Sequence, residues 1–299
     1  MTLSRQARVQ IVADEQKGEV RETLRSFLPW LEERAELAGV LLDRERGLEG
    51  IDADLVVVFG GDGTILSTAR HMGEHQLPTL GINLGRLGFL AEFRVEAAQS
   101  AVELALAGRL REEHRLLIEC HAPGQDSPVL LLNDAVCQRG MHRGLIELSV
   151  KVGNRSVTTY SGDGLIVATP VGSTAYSLSL GGPILAPELE ALVLTPIAPH
   201  ALPVRPLVVP SEKPVELTVE APEGEPVGSL VCDGQVKWHV CGGDRILLRR
   251  AKSCFRLLTL EGNDFFSILR QKFDWAGSPQ YAARIADLES PSENQDKVE

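Results

Sequence analysis

A short apolar segment that runs straight into a glycine-rich loop constrains the fold of this chain more than any other feature. Residues 54–59 (DLVVVF) are almost wholly apolar, and the sequence GGDGT follows at positions 60–64. An apolar run without polar alternation is typical of a strand that is buried on both faces, as the central strands of parallel sheets are. Ligands of open α/β sheets bind where such strands end, so these two features predict a parallel sheet with a binding site at its carboxyl edge.

The N-terminal part of the chain alternates between strand and helix patterns. Strands are predicted at residues 7–13, 54–59 and 78–83, and helices at residues 20–37, 64–72 and 95–107. In the first helix, Pro29 predicts a kink or a break, and Gly39 is expected to end the helix. This alternation predicts a Rossmann-like parallel α/β domain over residues 1–114.

Short apolar stretches separated by Gly, Pro, Asn or Asp dominate the chain after residue 114. They include LLIECH, LIELSVKV, LIVATP, VELTV and RILLRR, and no long helical pattern interrupts them. This pattern predicts an all-β domain over residues 115–258. A helix is predicted at residues 265–273, and the polar tail at residues 289–299 is expected to be disordered.

Composition and charge argue against several classes of function. The chain carries 30 basic and 41 acidic side chains, a net charge of −11, which disfavours binding to nucleic acid or to an anionic membrane surface. No apolar run approaches the roughly 18 residues of a membrane-spanning helix, and we expect no secretion signal. Five cysteines without a CxxC pair predict free thiols in a reducing compartment, so a cytoplasmic protein is expected.

The GGDGT loop has the composition of a phosphate-binding loop. Consecutive glycines let the backbone approach a phosphate, whose oxygens accept hydrogen bonds from backbone N–H groups and from the start of the next helix. The loop is neither a P-loop nor a dinucleotide fingerprint, because the required spacings are absent. Asp62 would repel a phosphate unless it accepts a proton from an attacking hydroxyl or holds Mg²⁺. The alternative is a tight turn capped by Asp62.

A second segment, residues 161–183, consists largely of glycines and hydroxyl residues. Its apolar part, LIVATP, indicates that the segment is partly buried, so its polar groups need hydrogen-bond partners. A polar ligand with many hydroxyl groups fits this requirement, and Tyr176 offers a ring for stacking. Asn133 and Asp134 form either a β-turn or a contact to a ribose diol or an adenine edge. Asp233-Gly234 between two strand patterns favours a hairpin turn.

Together, these segments resemble the NAD kinase family, whose members phosphorylate NAD to NADP. The matching segments, in the family's order, are GGDGT (60–64), GINLGRLGFL (81–90), Asn133-Asp134, SGDGLIVATPVGSTAYSLSLGGPI (161–184), PHAL (199–202) and CDG (232–234). GGDGT alone is also similar to the loops of diacylglycerol and sphingoid lipid kinases and of phosphofructokinase-like enzymes. The long segment that contains DGLIVATP is much more specific.

The resemblance implies an architecture, a set of ligands and an assembly. It implies an α/β domain followed by an all-β domain, a segment at residues 259–288 that packs back on the first domain, and an active site in the interdomain cleft. NAD and NADP would be the dinucleotides, ATP or inorganic polyphosphate the phosphoryl donor, and Mg²⁺ or another divalent cation the cofactor. A homo-oligomer, dimer or tetramer, is expected.

The resemblance also implies roles for individual residues. Asp62 would activate the acceptor hydroxyl, with Gly61 and Gly63 near the phosphates. Asn133 and Asp134 would hold the adenosine ribose or base, and Asp163 would contact the nicotinamide half. The remaining residues expected at the dinucleotide site are Phe89, Thr174, Ala175, Tyr176, Ser177, Leu178, Ser179 and Gln235.

Some positions depart from the family pattern. Val171 and Ala201 stand where relatives have hydroxyl residues, and Ser161, Gly162 and Gly144 lack side chains that contact the diphosphate in relatives. These departures bear on affinity and on the choice between NAD and NADH. Two alternative functions are a lipid kinase with the same glycine loop, which needs an apolar entry for acyl chains, and a non-catalytic NAD(P)-binding sensor.

Overall fold

The computed structural model describes residues 6–15, 20–43, 47–85, 88–141, 144–262 and 265–275. The chain divides into two compact units, Met1–Thr259 and Leu260–Glu299. The tail at 289–299 and half of the segment 259–288 lie outside the described residues, so their predicted disorder and packing stay predictions. In the second unit, the described helix α5 spans Phe265–Phe273, the residues that the sequence pattern predicts.

The N-terminal half of the first unit is a parallel α/β structure. Its elements are β1 (Arg8–Ala13), α1 (Val20–Glu32), β2 (Glu36–Leu41), β3 (Leu55–Gly60), α2 (Asp62–His71), β4 (Thr79–Asn83), β5 (Phe93–Arg94) and α3 (Ala98–Leu106). A 3-10 turn at Val95–Ala97 precedes α3. The parallel strands lie in the order β2-β1-β3-β4.

Strand β3 is the central strand that the sequence predicts. All six of its residues are buried. Leu55, Val57 and Phe59 face the cluster that contains the apolar side chains of α1 and α3, whereas Val56 and Val58 face the cluster that contains those of α2. Helices therefore cover both faces of the sheet, which explains why β3 needs an apolar run and not an alternating pattern.

The segment after α1 differs from the prediction of a helix that continues to residue 37. Helix α1 ends at Glu32 with Pro29 inside it, and Glu36–Leu41 is a strand instead. Gly39 does not end a helix but lies in β2 opposite Gln10 of β1. The parallel pairing with β1 outweighs the local helical spacing, and a Cβ at Gly39 would lie only 3.0 Å from Gln10 Oε1.

The rest of the first unit is mainly β structure. Its strands are β6 (Arg111–His121), β7 (Val129–Leu131), β8 (Asp134–Arg139), β9 (Ile146–Val152), β10 (Arg155–Gly162), β11 (Gly164–Ala168), β12 (Ala191–Ile197), β13 (Leu207–Pro210), β14 (Val215–Val219), β15 (Pro226–Cys232), β16 (Val236–Cys241) and β17 (Arg245–Thr259). A 3-10 turn (Gly172–Thr174) and a short helix α4 (Tyr176–Ser179) lie between β11 and β12.

Two sheets organise this unit, and one of them runs through both halves. In the described residues, a six-stranded antiparallel sheet has the order β13-β12-β11-β8-β15-β16. The other sheet has eleven strands, because β17 pairs in parallel with β4 at Leu257 and Thr79 and antiparallel with β14. Leu165 of the first sheet and Leu217 of the second belong to the same buried cluster. The predicted sequence of an α/β part followed by an all-β part is confirmed.

All five cysteines are free thiols. Burial raises the pKa of Cys137 to about 12. A hydrogen bond with Cys120, together with burial, also raises the pKa of Cys232. Thiols with raised pKa values are poor nucleophiles, so these two contribute packing and not reactivity.

Within the described ranges, no helix combines the length and the apolar character that crossing a bilayer requires.

Candidate active site

The two glycine-rich loops leave the parallel sheet at the same edge. Gly60 at the end of β3 pairs with Asn83 at the end of β4, so the residues that follow each strand meet at the carboxyl edge. A side chain at Gly60 is excluded because its Cβ would lie 2.3 Å from Thr64 Oγ1. Gly61 is the extended residue immediately before α2, and Asp62 opens the helix. The predicted loop is therefore at the carboxyl end of a central strand, next to a helix N-terminus.

The carboxylate of Asp62 accepts hydrogen bonds from three consecutive backbone amides of the second loop. Oδ2 accepts from Phe89 N at 2.9 Å, and Oδ1 accepts from Leu90 N and Ala91 N at 3.0 and 3.2 Å. Gly88 makes this approach possible, because a Cβ there would lie 1.9 Å from Asp62 Oδ1. The bonds join residues 27 to 29 positions apart. The alternative of an aspartate that caps its own turn is therefore wrong.

Asp233 repeats this arrangement in the β half. Its Oδ2 accepts from Leu132 N at 3.0 Å, and its Oδ1 accepts from Asn133 N and Asp134 N at 2.8 and 3.0 Å. Its own backbone N–H donates to Asp134 O at 2.8 Å. The predicted pair Asn133-Asp134 is thus held by the turn between β15 and β16, about 100 positions further along the chain.

Two buried carboxyl groups lie side by side here. Burial, with a smaller contribution from the charge of Asp233, raises the pKa of Asp134 to about 7. Burial also raises the pKa of Asp233 to about 6, although the three amides and the charge of Arg70 act in the opposite direction. Each unit of such a shift corresponds to about 1.4 kcal/mol of preference for the protonated form. Asp134 therefore titrates near neutral pH.

A cavity of about 310 Å³ opens beside these carboxyl groups. Four predicted residues, Asn133, Asp134, Ala175 and Tyr176, line it. The remaining lining residues are Val136, Gln138, Val231, Asp233 and Gly234. Tyr176 is 43% exposed, so its ring is open to a ligand. The cavity offers an aromatic ring, two side-chain amides and two carboxyl groups, a set of groups that suits a base and a ribose.

Arg70 and Gln235 connect this cavity to the GGDGT loop. Gln235 Nε2 donates to Gly63 O at 2.7 Å, and Gln235 Oε1 accepts from Arg70 Nη1 at 2.8 Å. Arg70 is not among the residues that the sequence motifs predict for the site. Its position was a usable signal, because Gly63, Ser67 and Arg70 recur at the spacing of one helix face, and Arg70 Nη2 donates to Ser67 Oγ at 3.3 Å.

Comparison with known proteins decides the family. Residues 9–110 match the ATP-NAD kinase N-terminal domain, and residues 132–260 match the ATP-NAD kinase C-terminal domain. Over 277 residues the chain is 43% identical to the NAD kinase of Heliobacterium modesticaldum, and the match covers 88% of this chain and 97% of that relative. The chain belongs to the ATP-NAD kinase family. It is thus a member of a phosphotransferase family, and neither a lipid kinase nor a non-catalytic sensor is favoured.

Two solved structures of this kinase family share the fold. Yeast NADH kinase in complex with NADH superposes with a TM-score of 0.81 at 25% identity, covering 92% of this chain and 89% of the yeast chain. An NAD kinase from Archaeoglobus fulgidus in complex with ATP superposes with a TM-score of 0.71 at 28% identity, covering 92% of this chain and 99% of the other.

The kinase-family segment rich in Gly, Ser and Thr satisfies many of its hydrogen bonds internally. Thr169 Oγ1 donates to Leu132 O at 2.6 Å, and Ser177 Oγ bonds to Thr195 Oγ1 at 2.7 Å. Thr174 Oγ1 donates to Val171 O at 2.9 Å. Leu178 is half-buried and Ser179 exposed, outside the residues that line the 310 Å³ cavity. These three hydroxyl groups therefore have hydrogen-bond partners within the protein, without the polar ligand that the sequence pattern predicts.

Asp163 lies at the other end of the strands that carry Asn133 and Asp134. Ala168 pairs with Asp134 and Gly164 pairs with Gln138, and Asp163 O accepts from Arg139 N, so Asp163 is five strand residues, roughly 17 Å, from Asp134. Asp163 Oδ1 accepts from Arg139 Nε at 2.6 Å. Its predicted contact with the nicotinamide half of the kinase substrate stays a prediction.

A larger cavity of about 530 Å³ lies away from the predicted kinase site. It is lined by residues 111–117, 187–190 and 250–254. Ion pairs cross it or border it, including Arg250–Glu190 at 2.7 Å. None of the predicted site residues lines this cavity, so its size does not make it the active site.

The paired carboxyl groups of this kinase predict how stability depends on pH. Folding raises the pKa of Asp134 from 3.8 to about 7, so the folded chain retains protons that the unfolded chain has released between these values. The free energy of unfolding should therefore fall as the pH rises from about 4 to about 7. Asp134→Asn removes this charge, and at pH 8 the variant should be more stable than the wild type by on the order of a few kcal/mol.

Urea denaturation followed by circular dichroism between pH 4.5 and pH 8 measures this difference. The gain in Asp134→Asn should shrink towards pH 4.5, because there the Asp134 carboxyl group of the folded wild type is protonated, and therefore as uncharged as asparagine, and the pH approaches the unfolded-state pKa of 3.8. Asp126→Asn, a change in an exposed loop, should follow the wild-type curve. The prediction would be contradicted if the free energies of unfolding of Asp134→Asn and wild type differed by the same amount at all pH values.

Proposed function

We propose that the protein transfers the γ-phosphoryl group of ATP to the adenosine 2′-hydroxyl of NAD and thereby forms NADP. The observation that carries this proposal is that one turn, residues 233–235, contacts both the GGDGT loop and the segment lining the 310 Å³ cavity. A loop with the composition of a phosphate-binding loop is thus adjacent to a cavity whose groups suit a nucleoside. The NADH held by the yeast relative and the ATP held by the archaeal relative support the same pair of substrates.

Catalysis in this scheme rests mainly on positioning, because phosphoryl transfer passes through a loose transition state. The amides at the start of α2, near Gly61 and Gly63, would donate to phosphate oxygens. Asp62 would accept the proton of the attacking hydroxyl. Three of the roughly four lone-pair positions of its carboxylate are occupied by amides, which leaves one for the substrate. The amides thereby fix the direction in which Asp62 can accept that proton.

The donor groups of the site fit a cation that arrives with the nucleotide. Among the residues that the structure describes, no three His, Cys, Asp or Glu side chains form a metal-binding cluster. Mg²⁺ commonly binds through substrate phosphates, water and only one or two carboxylates. Asp62 is the carboxylate of the GGDGT loop, and when bound, the cation would neutralise charge on the transferred phosphoryl group.

In the acceptor subsite, Tyr176 would stack on a base, and Asn133 and Asp134 would bind the ribose or the base edge. Ala175 would form part of the wall. Phe89, whose N–H donates to Asp62, would lie near the reacting groups. Contacts of Asp163, Thr174, Ser177, Leu178 and Ser179 with the dinucleotide remain part of the proposal.

Purified protein with Mg²⁺ tests the function directly. NAD or NADH is offered with ATP, other nucleoside triphosphates or polyphosphate, and NADP or NADPH is detected with an NADP-specific enzyme. NADP should also raise the melting temperature, since a ligand at 100 times its Kd adds about 2.7 kcal/mol. A thermal shift without product would indicate the sensor, and phosphorylation of diacylglycerol in place of NAD would indicate the lipid kinase.

Gly63→Ala should separate catalysis from folding. The added Cβ would lie 3.7 Å from Gln235 Nε2, an ordinary contact, so the protein should fold. Alanine also favours helix over glycine by up to about 1 kcal/mol, so the variant should melt no lower than wild type. The methyl group would nevertheless occupy the exposed surface that the phosphates approach, and kcat/KM for ATP should fall roughly tenfold or more.

Steady-state kinetics measures kcat/KM for ATP, and thermal melts measure the melting temperature. Gly60→Ala is the contrasting variant, because its Cβ would lie 2.3 Å from Thr64 Oγ1, and it should lose stability as well as activity. Gly47→Ala, with no neighbouring atom within 4 Å, serves as the control. A fully active Gly63→Ala variant would show that phosphate does not approach this residue.

The family resemblance supports a homo-oligomer, and the free thiols are compatible with a reducing, cytoplasmic location. Leu207 and Val208 of the edge strand β13 are both partly exposed, at 37% and 44%, which is compatible with a surface covered by a second copy. Light scattering of the active protein distinguishes a dimer or tetramer from a monomer of 32.5 kDa.

A further inference from the structure

The turn between β15 and β16 has a specific and constrained geometry. Asp233 and Gly234 both have positive φ values, 49° and 66°, and Gln235 N donates to Cys232 O at 2.9 Å. This is a type I′ turn, which connects two antiparallel strands without splaying them. An aspartate with positive φ is uncommon, so the turn places the Asp233 side chain in a direction that the strand itself would not give.

The two side chains of this turn bind opposite parts of the site. Asp233 accepts from the amides of residues 132–134, the segment that carries Asn133 and Asp134. Gln235 donates to Gly63 O in the first turn of α2. The turn is therefore in contact with the proposed acceptor subsite on one side and with the proposed donor loop on the other.

Arg70 determines how Gln235 can be oriented. A glutamine amide has an acceptor end and a donor end, and Arg70 can only donate, so its bond fixes Oε1 towards Arg70 and Nε2 towards Gly63 O. Arg70 is itself half-buried and bonded to Ser67 of the same helix. The Arg70 guanidinium thus donates to two neutral side chains, Gln235 and Ser67, which is expected of a cation that orients a neighbour.

We propose that Arg70 is a positioning residue that acts through Gln235 to fix the distance between the GGDGT loop and the Asn133–Asp134 segment. The proposal rests on the proposed function, since it is the transfer between two bound substrates that requires this distance. Each substrate can bind to its own side without it. Loss of the Arg70–Gln235 hydrogen bond should therefore lower kcat much more than it raises the KM for NAD or for ATP.

The test compares Arg70→Met, Arg70→Lys and Gln235→Ala with the wild-type enzyme under saturating NAD and ATP. Arg70→Met and Gln235→Ala should each lower kcat by roughly tenfold to a hundredfold, with KM for both substrates within about threefold. The double variant should be no worse than either single one, because both remove the same connection. Arg70→Lys retains a donor and should recover most of the lost kcat.

Gln235→Glu sharpens the comparison. The new carboxylate pairs well with Arg70 but cannot donate to Gly63 O, so it should be as slow as Gln235→Ala despite the stronger contact with Arg70. Arg109→Met and Lys237→Ala, two changes of exposed side chains, are the matched controls and should keep wild-type kcat. All rates are measured well below each melting temperature and per folded molecule.

Three results would overturn the proposal. Wild-type kcat in Arg70→Met or in Gln235→Ala would show that the bond is not needed. A raised KM for ATP with unchanged kcat would make Arg70 a direct phosphate ligand. Additive losses in the double variant would show that the two residues act separately. If Arg70→Met does not fold, the kcat values of Gln235→Ala and Gln235→Glu test the proposal in its place. Failure of the wild type to form NADP refutes the proposed function instead, and does so before any variant is made.

Discussion

Asp62→Asn should lower turnover by roughly 10²–10⁴, the usual contribution of a positioned proton acceptor. Asparagine cannot take the proton of the attacking hydroxyl. It also presents an N–H group where the Asp62 carboxylate accepts from Phe89 N, so one of the three amide contacts is lost. NAD affinity measured by calorimetry should stay within a few-fold of wild type, because Asp62 does not line the 310 Å³ cavity.

Two further measurements separate the possible roles of Asp62. If Asp62 chiefly held Mg²⁺, higher Mg²⁺ should restore part of the turnover of Asp62→Asn, and we expect no such recovery. Gly88→Ala keeps the acid but would place a Cβ 1.9 Å from Asp62 Oδ1, which must displace the carboxylate from its amides. We expect Gly88→Ala to lose turnover as well, since the variant keeps the Asp62 carboxylate as a proton acceptor but disturbs its orientation.

Asp126→Asn is the control for the loss of one negative charge and should retain wild-type turnover. Near-normal turnover in folded Asp62→Asn would refute the assignment of Asp62 as the proton acceptor. Normal turnover in Gly88→Ala alone would show that Asp62 can act without the three amides.

Sequence reasoning succeeded where the structure is dictated by neighbours in the chain. The apolar run at β3 needs only burial on both faces, and the helix at Phe265–Phe273 needs only its own periodicity. Strand β2 was not predicted because its conformation depends on pairing with β1. From the sequence alone, Gly39 is equally consistent with the end of a helix. The joining of both halves by β17 was missed for the same reason, since it depends on contacts between residues about 180 positions apart.

The motifs predicted residues that the structure brings near one another, but they did not predict the contacts that hold these residues in place. Asp62, Asn133 and Asp134 were identified from short segments, and the structure places them at a loop and a cavity joined by one turn. The role of Asp233 could not be read from its hairpin signal, because the amides it binds lie 99 to 101 positions earlier. Conversely, the hydroxyl groups of residues 161–183 suggested a ligand, whereas Thr169 and Ser177 bond within the protein.

The glycine at position 172 shows what the small residues of that segment do. A Cβ there would lie 2.2 Å from Asn133 O, 2.5 Å from Asn133 C and 2.8 Å from Asn133 Cα. All three atoms belong to the backbone, so no side-chain rotation relieves the clash. The glycine permits the close approach of two chain segments, and the segment that carries the proposed NAD-binding pair would have to move if a side chain were added.

Gly172→Ala should therefore reduce both stability and NAD binding. Overpacking of this kind costs about 1–3 kcal/mol or more, which urea denaturation measures as a lower midpoint. Displacing Asn133 and Asp134 removes contacts worth about 1–3 kcal/mol, so NAD affinity by calorimetry should fall roughly tenfold to a hundredfold in the protein that remains folded. Gly47→Ala, which adds the same methyl group where no atom lies within 4 Å, should change neither quantity. Wild-type stability and NAD affinity in Gly172→Ala would mean that the 132–134 segment gives way without cost, and Asp233 would then not hold it rigidly.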